Sequence, residues 1–313
     1  MGNRATTTKK PSVQHTSVPC APKPTSSKYL TNFKATVATS VAPIPWDALQ
    51  LGQSLSRSSS GQLYQGTYCG KTITVQRLAD YLVQSPSLVS TINSISTLQH
   101  PNVVSILGYS CDPHDNLHLV TDWMAGGSLA SALQCFNLSM TGRMMPIAID
   151  VCRAMVYLHA QTPAFIHGNL TSGNIFLSDK GAHVADMGFA ALEGEETLPL
   201  CGVPMWTAPE VLLGDENLGE KADVYSFGIG TCGNKYELER PPSLVLAELH
   251  TGSPPIQLLR AIVADGLRPM MPKSASAEVK LLYERCVSVK PTERPAFAEI
   301  LTILETQRQA TQR

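Results

Sequence analysis

The chain has 313 residues, which is enough for one two-lobed domain or for two small ones. With 43% hydrophobic and 16% charged residues, it has the composition of a globular protein, and its net charge of −1 gives no argument for nucleic acid as a partner. No apolar run approaches the roughly 20 residues that span a bilayer. The eight cysteines form no C-x-x-C pair, which favours a reduced, cytoplasmic protein over a zinc or disulfide framework.

Residues 1–45 differ from the rest of the chain in composition. They contain six basic residues and no acidic one, and they are rich in Thr, Ser and Pro without periodicity. This predicts a disordered basic tail. The opening MGNRAT fits the N-myristoylation pattern M-G-x-x-x-[ST], with Gly2 as the acceptor, and the basic residues would supply a second signal for a membrane surface. A coincidental match to so short a motif is the alternative.

Folded elements are predicted from residue 46 onward. Apolar alternation and a Cys-Gly-Lys turn between residues 51 and 78 predict an antiparallel meander. A helix is predicted over 85–98, after a Ser-Pro start, and two more strands over 103–124. Apolar residues at helical spacing predict the next helix at 141–160. The remaining predicted helices lie near 256–264, near 276–287 and near 295–309.

A short hairpin with polar ends lies near the middle of the chain. Residues 167–188 read HGNLTSGNIFLSDKGAHVADMG, with two short strand-like runs around a Ser-Asp-Lys-Gly turn. The pattern predicts a β-hairpin that holds Asn174 and Asp186 at its open end. An amide oxygen and a carboxylate together suit Mg²⁺. A hairpin with incidental polar residues is the alternative interpretation.

This stretch resembles the catalytic loop H-R-D-L-x-x-x-N and the metal motif D-F-G of protein kinases. It departs from the family at Gly168, which stands at the Arg position, and at Asn169, which stands at the position of the catalytic Asp. Trp123, Phe176 and the stretch WTAPE look most like the tyrosine-kinase-like group, which includes Raf-type kinases. The matching residues are His167, Leu170, Asn174, Asp186 and Gly188.

The resemblance implies an α+β, two-lobed protein-kinase-like fold, with a β-rich N-lobe at 46–124 and a helical C-lobe at 125–309. It implies ATP and Mg²⁺ as weakly bound cofactors, with metal positions at Asn174 and Asp186 and catalytic-loop positions at His167 and Asn169. The implied nucleotide-binding positions are Gly61, Leu63, Thr74, Gln76, Thr121, Met124 and Phe176.

Several of these positions carry residues that weaken the family's chemistry. Gln76 stands where the family has the Lys that holds the α- and β-phosphates, and Thr91 stands where that Lys has its Glu partner. Ser56 and Ser58 replace two glycines of the phosphate-binding loop. The carboxamide of Asn169 is not a base near neutral pH. The resemblance therefore implies weak nucleotide binding and impaired catalysis.

The resemblance also implies structural roles in the C-lobe. Glu210 would pair with Arg294 in a buried ion pair, and Asp223 would begin a buried helix. Residues 230–244 look like an insertion in that helix, since two glycines and a Pro-Pro pair cannot continue it. The segment is predicted to loop out, and an unspliced intron is the preferred explanation for its presence.

The favoured interpretation is a pseudokinase that acts as a signalling module. Its expected partners are other signalling proteins, with an active kinase as one candidate. One alternative is an active Ser/Thr kinase of the tyrosine-kinase-like group. The other is a scaffold domain that binds no nucleotide. Binding of Mg-nucleotide at Asn174 and Asp186 separates this last alternative from the others.

Overall fold

A sheet lobe precedes a helical lobe in a computed structural model of the chain. The predicted two-lobed α+β fold is confirmed. The structure describes residues 27–37, 41–58, 60–135, 143–189, 192, 205–214, 219–232, 260–269, 271 and 275–312.

The N-lobe is built on an antiparallel sheet of order β1-β2-β3-β5-β4. Alternation buries Ile73 and Val75 on one face of β3, as predicted. Cys69 and Gly70 both adopt positive φ between β2 and β3, which a tight hairpin turn requires. The strands are β1 (Gln50–Ser58), β2 (Gly61–Tyr68), β3 (Lys71–Leu78), β4 (Ile106–Cys111) and β5 (Leu117–Asp122).

Two helices connect β3 to β4. Helix α3 (Leu88–Ser96) confirms the helix predicted at 85–98. It buries Leu88, Ile92 and Ile95, which lie on one face at helical spacing. A short helix, α2 (Asp80–Gln84), precedes it and was not predicted.

The predicted disorder of residues 1–45 is wrong for the part of that tail that the structure describes. Helix α1 (Ser27–Thr36) buries Leu30 and Phe33 in the N-lobe core, and the Phe33 ring meets Tyr109 edge-on at 5.1 Å between centroids. Leu30 and Phe33 are three positions apart, so they lie on the same face of the helix. The N-lobe therefore begins before residue 46, while Gly2 and the rest of 1–26 lie outside the described residues.

The segment after α1 extends the sheet. Ile44 donates its backbone N–H to Tyr109 O at 2.8 Å, and Tyr109 donates to Ala42 O at 3.0 Å. The segment thus pairs with the edge strand β4 and covers it. Gly108 permits this approach, because a Cβ there would lie only 2.4 Å from Ala42 O.

The C-lobe packs around the long helix α5 (Met145–His159). Its buried residues include Ala148, Val151 and Leu158, as the apolar spacing predicts. It packs against the last helix of the chain and against the predicted hairpin that follows the catalytic-type loop. The other elements are α4 (Leu129–Cys135), β6 (Ile175–Ser178), β7 (Gly181–Val184), α6 (Pro209–Leu212), α7 (Glu220–Phe227), a helical turn at 260–263, α8 (Ala277–Cys286) and α9 (Phe297–Gln312).

The first three residues of the predicted insertion are helical in the structure. After α7 the chain continues as a π-helix over Gly228–Cys232, so residues 230–232 are helical and not looped out. A single π-helical turn of this kind occurs mostly within an α-helix, so Gly230 continues the helical path of α7. The rest of the predicted insertion, 233–244, lies outside the described residues.

Candidate functional site

A cavity between the sheet and the C-lobe collects most of the predicted nucleotide-binding residues. Strands β2, β3 and β5 supply its roof, and the segment after β5 and strand β6 supply its side and floor. Its predicted lining residues are Leu63, Thr74, Gln76, Thr121, Met124, Asn174, Phe176 and Asp186. Residues far apart in sequence therefore meet as the resemblance implies, although their role in nucleotide binding stays a prediction.

Three predicted residues lie outside this cavity. Gly61 begins β2 with φ of +148°, where a Cβ would lie 1.9 Å from Arg77 O. It therefore permits close strand contact rather than lining the cavity. Asn169 lines an adjoining front groove with Thr171, and His167 is buried behind the loop.

The β6–β7 hairpin forms as predicted and positions the two metal candidates. Ile175 pairs with Val184, so Asn174 and Asp186 follow from the open end of the hairpin. Asn174 donates its Nδ2 to Asn169 O at 2.9 Å. Its carboxamide oxygen thus stays available as an acceptor. Asp186 adopts φ of +59°, an uncommon conformation for a residue other than glycine.

Asp223 holds the backbone of the catalytic-type loop in place. Its carboxylate accepts hydrogen bonds from the backbone N–H groups of His167 at 2.9 Å and Gly168 at 2.8 Å. His159 Nε2 also lies 2.9 Å from it. Gly168 takes φ of +73°, which a glycine adopts without strain. The buried helix α7 thereby fixes the loop that carries Asn169.

His167 is a neutral structural residue in this loop. Burial lowers its pKa, and the nearby carboxylates of Asp223 and Asp186 only oppose that shift. Its Nδ1 accepts the backbone N–H of Asn169 at 3.2 Å, and its Nε2 donates to Ala185 O at 3.1 Å. One neutral tautomer satisfies both contacts, so His167 joins the loop to the strand before Asp186.

Gln76 contacts the metal candidate directly. Its Nε2 donates to Asp186 Oδ1 at 3.1 Å and to Ser60 Oγ at 3.0 Å. Ser60 in turn donates its hydroxyl to Asp186 Oδ2 at 2.7 Å. Sequence reasoning missed Ser60, because it lies in a run of three serines in which no local signal distinguishes one from another.

Helix α3 lies against the turn that follows Asp186. A Cβ placed on Gly188 would be 3.3 Å from the methyl carbon of Thr91. Thr91, which the resemblance places at the position of the family's Glu, therefore lies beside the turn that follows Asp186. The described residues that line the cavity include two acidic side chains, Asp122 and Asp186, and no basic one.

The predicted ion pair between Glu210 and Arg294 forms in the C-lobe. Two guanidinium nitrogens donate to the two carboxylate oxygens at 2.6 and 2.7 Å, and the Arg294 side chain is fully buried. Arg294 also donates to backbone oxygens of Lys221 and Ser288. Its guanidinium lies 5.1 Å from the ring centre of Tyr225, whose pKa burial raises to about 12.

The described part of the chain offers neither a membrane-spanning helix nor a cluster of metal ligands. None of its helices is long and apolar enough to cross a membrane. Nor do its residues include a group of three or more His, Cys, Asp and Glu side chains that could hold a metal ion. Asp186 and Asn174 thus offer a metal only one carboxylate and one amide oxygen.

The five-stranded sheet, the hinge-like segment at Met124 and the hairpin that presents Asn174 and Asp186 define a protein-kinase fold. Comparison with known families agrees: the model for "Protein tyrosine and serine/threonine kinase" matches residues 49–304. The chain belongs to this family.

Its curated relatives include serine/threonine kinases. The chain is 32% identical over 269 residues to the probable serine/threonine-protein kinase drkB of Dictyostelium discoideum, and 30% identical over 283 residues to the serine/threonine-protein kinase STY46 of Arabidopsis thaliana. These matches cover 82% and 85% of the chain. They cover only 37% and 45% of the relatives, so the chain spans less than half the length of either protein.

Proposed function

We propose that this chain is a signalling pseudokinase of the tyrosine-kinase-like group that binds nucleotide weakly and transfers little or no phosphate. The contact between Gln76 and Asp186 carries the proposal. At the position of the family's phosphate-binding Lys, an uncharged carboxamide binds the metal carboxylate. Phosphoryl transfer depends on positive charge around the phosphates, and this side chain supplies none.

The front groove supports the same proposal. Asn169 and Thr171 line it where the family has the catalytic Asp and, in Ser/Thr kinases, a Lys. The carboxamide cannot accept the proton of a substrate hydroxyl near neutral pH. The losses thus affect the base, the phosphate cation and its Glu partner together.

Asp186 and Asn174 fit a Mg²⁺ ion that arrives with phosphate oxygens. Proteins usually hold Mg²⁺ with one or two carboxylates, and the substrate phosphates complete the octahedron. When bound, the ion would neutralise phosphate charge. The chain itself contributes the Asp186 carboxylate, the Asn174 amide oxygen and the apolar walls formed by Leu63 and Phe176. We therefore propose weak binding of ATP that depends on Mg²⁺.

An active Ser/Thr kinase is the second candidate. The retained pair of Asn174 and Asp186 favours it, as do the names of the relatives. A scaffold that binds no nucleotide is the third candidate, which a titration with Mg-ATP tests. Strong thermal stabilisation by ATP in EDTA would contradict the Mg²⁺ dependence.

Phosphate transfer by the full-length chain tests the proposal. The wild type is incubated with radiolabelled ATP, Mg²⁺ and a general protein substrate, and Asp186→Ala is the matched control. We expect equal incorporation in both proteins. Incorporation by the wild type well above the control would refute the pseudokinase assignment and establish the active-kinase alternative.

A rescue variant sharpens this test. Gln76→Lys and Asn169→Asp together restore a phosphate cation and a base, so incorporation should rise above the wild type. Such a rise would show that inactivity is caused by the absence of these two side chains and not by a disrupted fold. No rise, in a protein that still unfolds cooperatively, would assign a limiting role to Thr91 and the serine-rich loop.

The partners and the location rest on the sequence alone. We propose that the module acts by binding other signalling proteins in the cytoplasm, an active kinase among them, and that acylated Gly2 holds it at membranes. Mass spectrometry of the N-terminal peptide tests the acylation. An unmodified Gly2 in protein from the native cell would refute it.

A further inference from the structure

Ser60, Gln76 and Asp186 form a closed ring of hydrogen bonds at the candidate metal position. Each oxygen of the Asp186 carboxylate accepts from an uncharged donor, Ser60 Oγ at 2.7 Å and Gln76 Nε2 at 3.1 Å. The third side of the ring is Gln76 Nε2 to Ser60 Oγ at 3.0 Å. We name these three residues the Ser60 latch.

The proton count of the latch is complete without a cation. Gln76 has two hydrogens on Nε2, one for Asp186 and one for Ser60. The Ser60 hydroxyl has one hydrogen, which it donates to Asp186, and lone pairs that accept from Gln76. Each oxygen of the ionised carboxylate therefore accepts a hydrogen bond from a neutral group.

The backbone carries Ser60 into the cleft. Ser60 is 1% exposed, although it lies in the connection between β1 and β2. Its carbonyl accepts the N–H of Ala79 at 2.9 Å, just beyond the end of β3. The next residue, Gly61, lies so close to Arg77 O that a Cβ would not fit. The loop is thus fastened to β3 on one side and to Asp186 on the other.

A divalent cation at Asp186 would compete with this ring for the carboxylate oxygens. Mg²⁺ binds carboxylate oxygens at about 2.0–2.1 Å, and it would face the hydrogens that Ser60 and Gln76 present to the same oxygens. Both donors carry partial positive charge on those hydrogens and would be repelled. An uncharged nucleoside differs, since it has no phosphate to bring a cation to Asp186.

We infer that Ser60 is an internal substitute for the metal ion: the latch holds Ser60 on Asp186, and Mg-nucleotide binds more tightly when this contact opens. The inference rests on the proposed nucleotide-binding function of the cleft and assigns its regulation. It also explains why Mg-ATP would bind weakly, because the cation competes with two hydrogen bonds to a charged group.

The first test compares two ligands by calorimetric titration of the full-length chain. Mg-ATP competes with the latch for Asp186, whereas adenosine does not. We expect Ser60→Ala to bind Mg-ATP about tenfold more tightly than the wild type, the scale of one charge-assisted hydrogen bond lost from the closed state. Adenosine affinity should change less than about twofold, since adenosine leaves the latch closed.

Ser54→Ala is the matched control. Ser54 lies on β1, close to Ser60 in sequence, but its hydroxyl accepts from Gln62 at 2.6 Å and is exposed. This variant should leave both affinities unchanged. Mg-ATP affinity that is unaltered or weaker in Ser60→Ala, or no Mg-ATP binding to either protein, would overturn the inference.

The second test follows the loop itself without any ligand. Amide hydrogen exchange over residues 54–62 should be faster in metal-free Ser60→Ala than in the wild type, and Mg-ATP should produce the same acceleration in the wild type. Slower exchange on addition of Mg-ATP would contradict the latch. Neither test measures phosphate transfer, so transfer by the wild type would refute the pseudokinase proposal and leave the latch standing.

Discussion

The resemblance to protein kinases assigns one ion pair to the C-lobe and another to the cleft, and this chain has only the pair in the C-lobe. The C-lobe keeps Glu210 and Arg294 with two short hydrogen bonds and complete burial of the guanidinium. In the cleft, Gln76 and Thr91 stand at the positions that the resemblance assigns to the other pair, and Gln76 donates to the candidate metal ligand Asp186. One pair braces the fold and the other serves phosphate chemistry.

This difference separates the requirements of folding from those of catalysis. A buried guanidinium without its carboxylate is costly, so loss of one partner in the C-lobe would endanger the fold. The cleft opens to solvent, and neutral replacements there leave no buried charge without a partner. The fold can therefore persist when the catalytic pair is absent.

The largest expected effect comes from breaking the C-lobe pair. Glu210→Ala leaves the buried Arg294 uncompensated, and we expect the free energy of unfolding to fall by about 3–5 kcal/mol. Chemical denaturation followed by fluorescence measures this. Arg153→Ala is the control, because its pair with Glu305 is exposed on both sides and should contribute about 0–1 kcal/mol. Equal losses in the two variants would contradict the contrast.

A substitution in the N-lobe core, away from the cleft, should reduce the stability nearly as much. Phe33→Ala empties a buried site beside Tyr109, and we expect a loss of about 3 kcal/mol in the free energy of unfolding. Asn32→Ala, on the exposed side of the same helix, should have little effect. If Phe33→Ala were neutral, α1 would not belong to the N-lobe core.

A smaller loss is expected where the serine-rich loop meets β3. Gly61→Ala places a Cβ against Arg77 O, and we expect a loss of about 2 kcal/mol from clash and backbone strain. Gly70→Ala also has positive φ, but no atom lies within 4 Å of its Cβ, so it should cost only about 1 kcal/mol. Thermal unfolding measures the loss of stability in each variant, and the difference between the two losses gives the contribution of the clash.

The smallest expected effect is a dependence of the folding stability on pH, caused by His118 in the N-lobe. Burial lowers the pKa of His118, whereas the unfolded chain binds this proton below a pH of about 6.5. The unfolded state then binds more protons, so stability should fall as pH drops from 7 to 5. His118→Gln should reduce that slope in thermal unfolding, and the exposed His114→Gln should not. An unchanged slope in His118→Gln would exclude His118 as its source.

The sequence alone determined the order of the elements, because local periodicity and turns encode them. Helix α5 and its buried residues follow from apolar spacing, and the β6–β7 hairpin follows from its turn. The motif positions also gave the pairing of Glu210 with Arg294 across 84 residues. In the tail, by contrast, the average composition of 1–45 concealed the short apolar face of α1.

Only the tertiary structure decided which polar groups meet. Ser60 and Asp186 are 126 residues apart, and their contact depends on how β1 and β2 fold over β3. The sequence shows only that Gln76 stands where the family has a Lys, whereas the structure shows that it donates hydrogen bonds to both Ser60 and Asp186. Hydrogen bonds between distant side chains depend on distance and angle, which no local pattern records. The sequence thus shows which charges the cleft has lost, and the fold shows what satisfies Asp186 in their place.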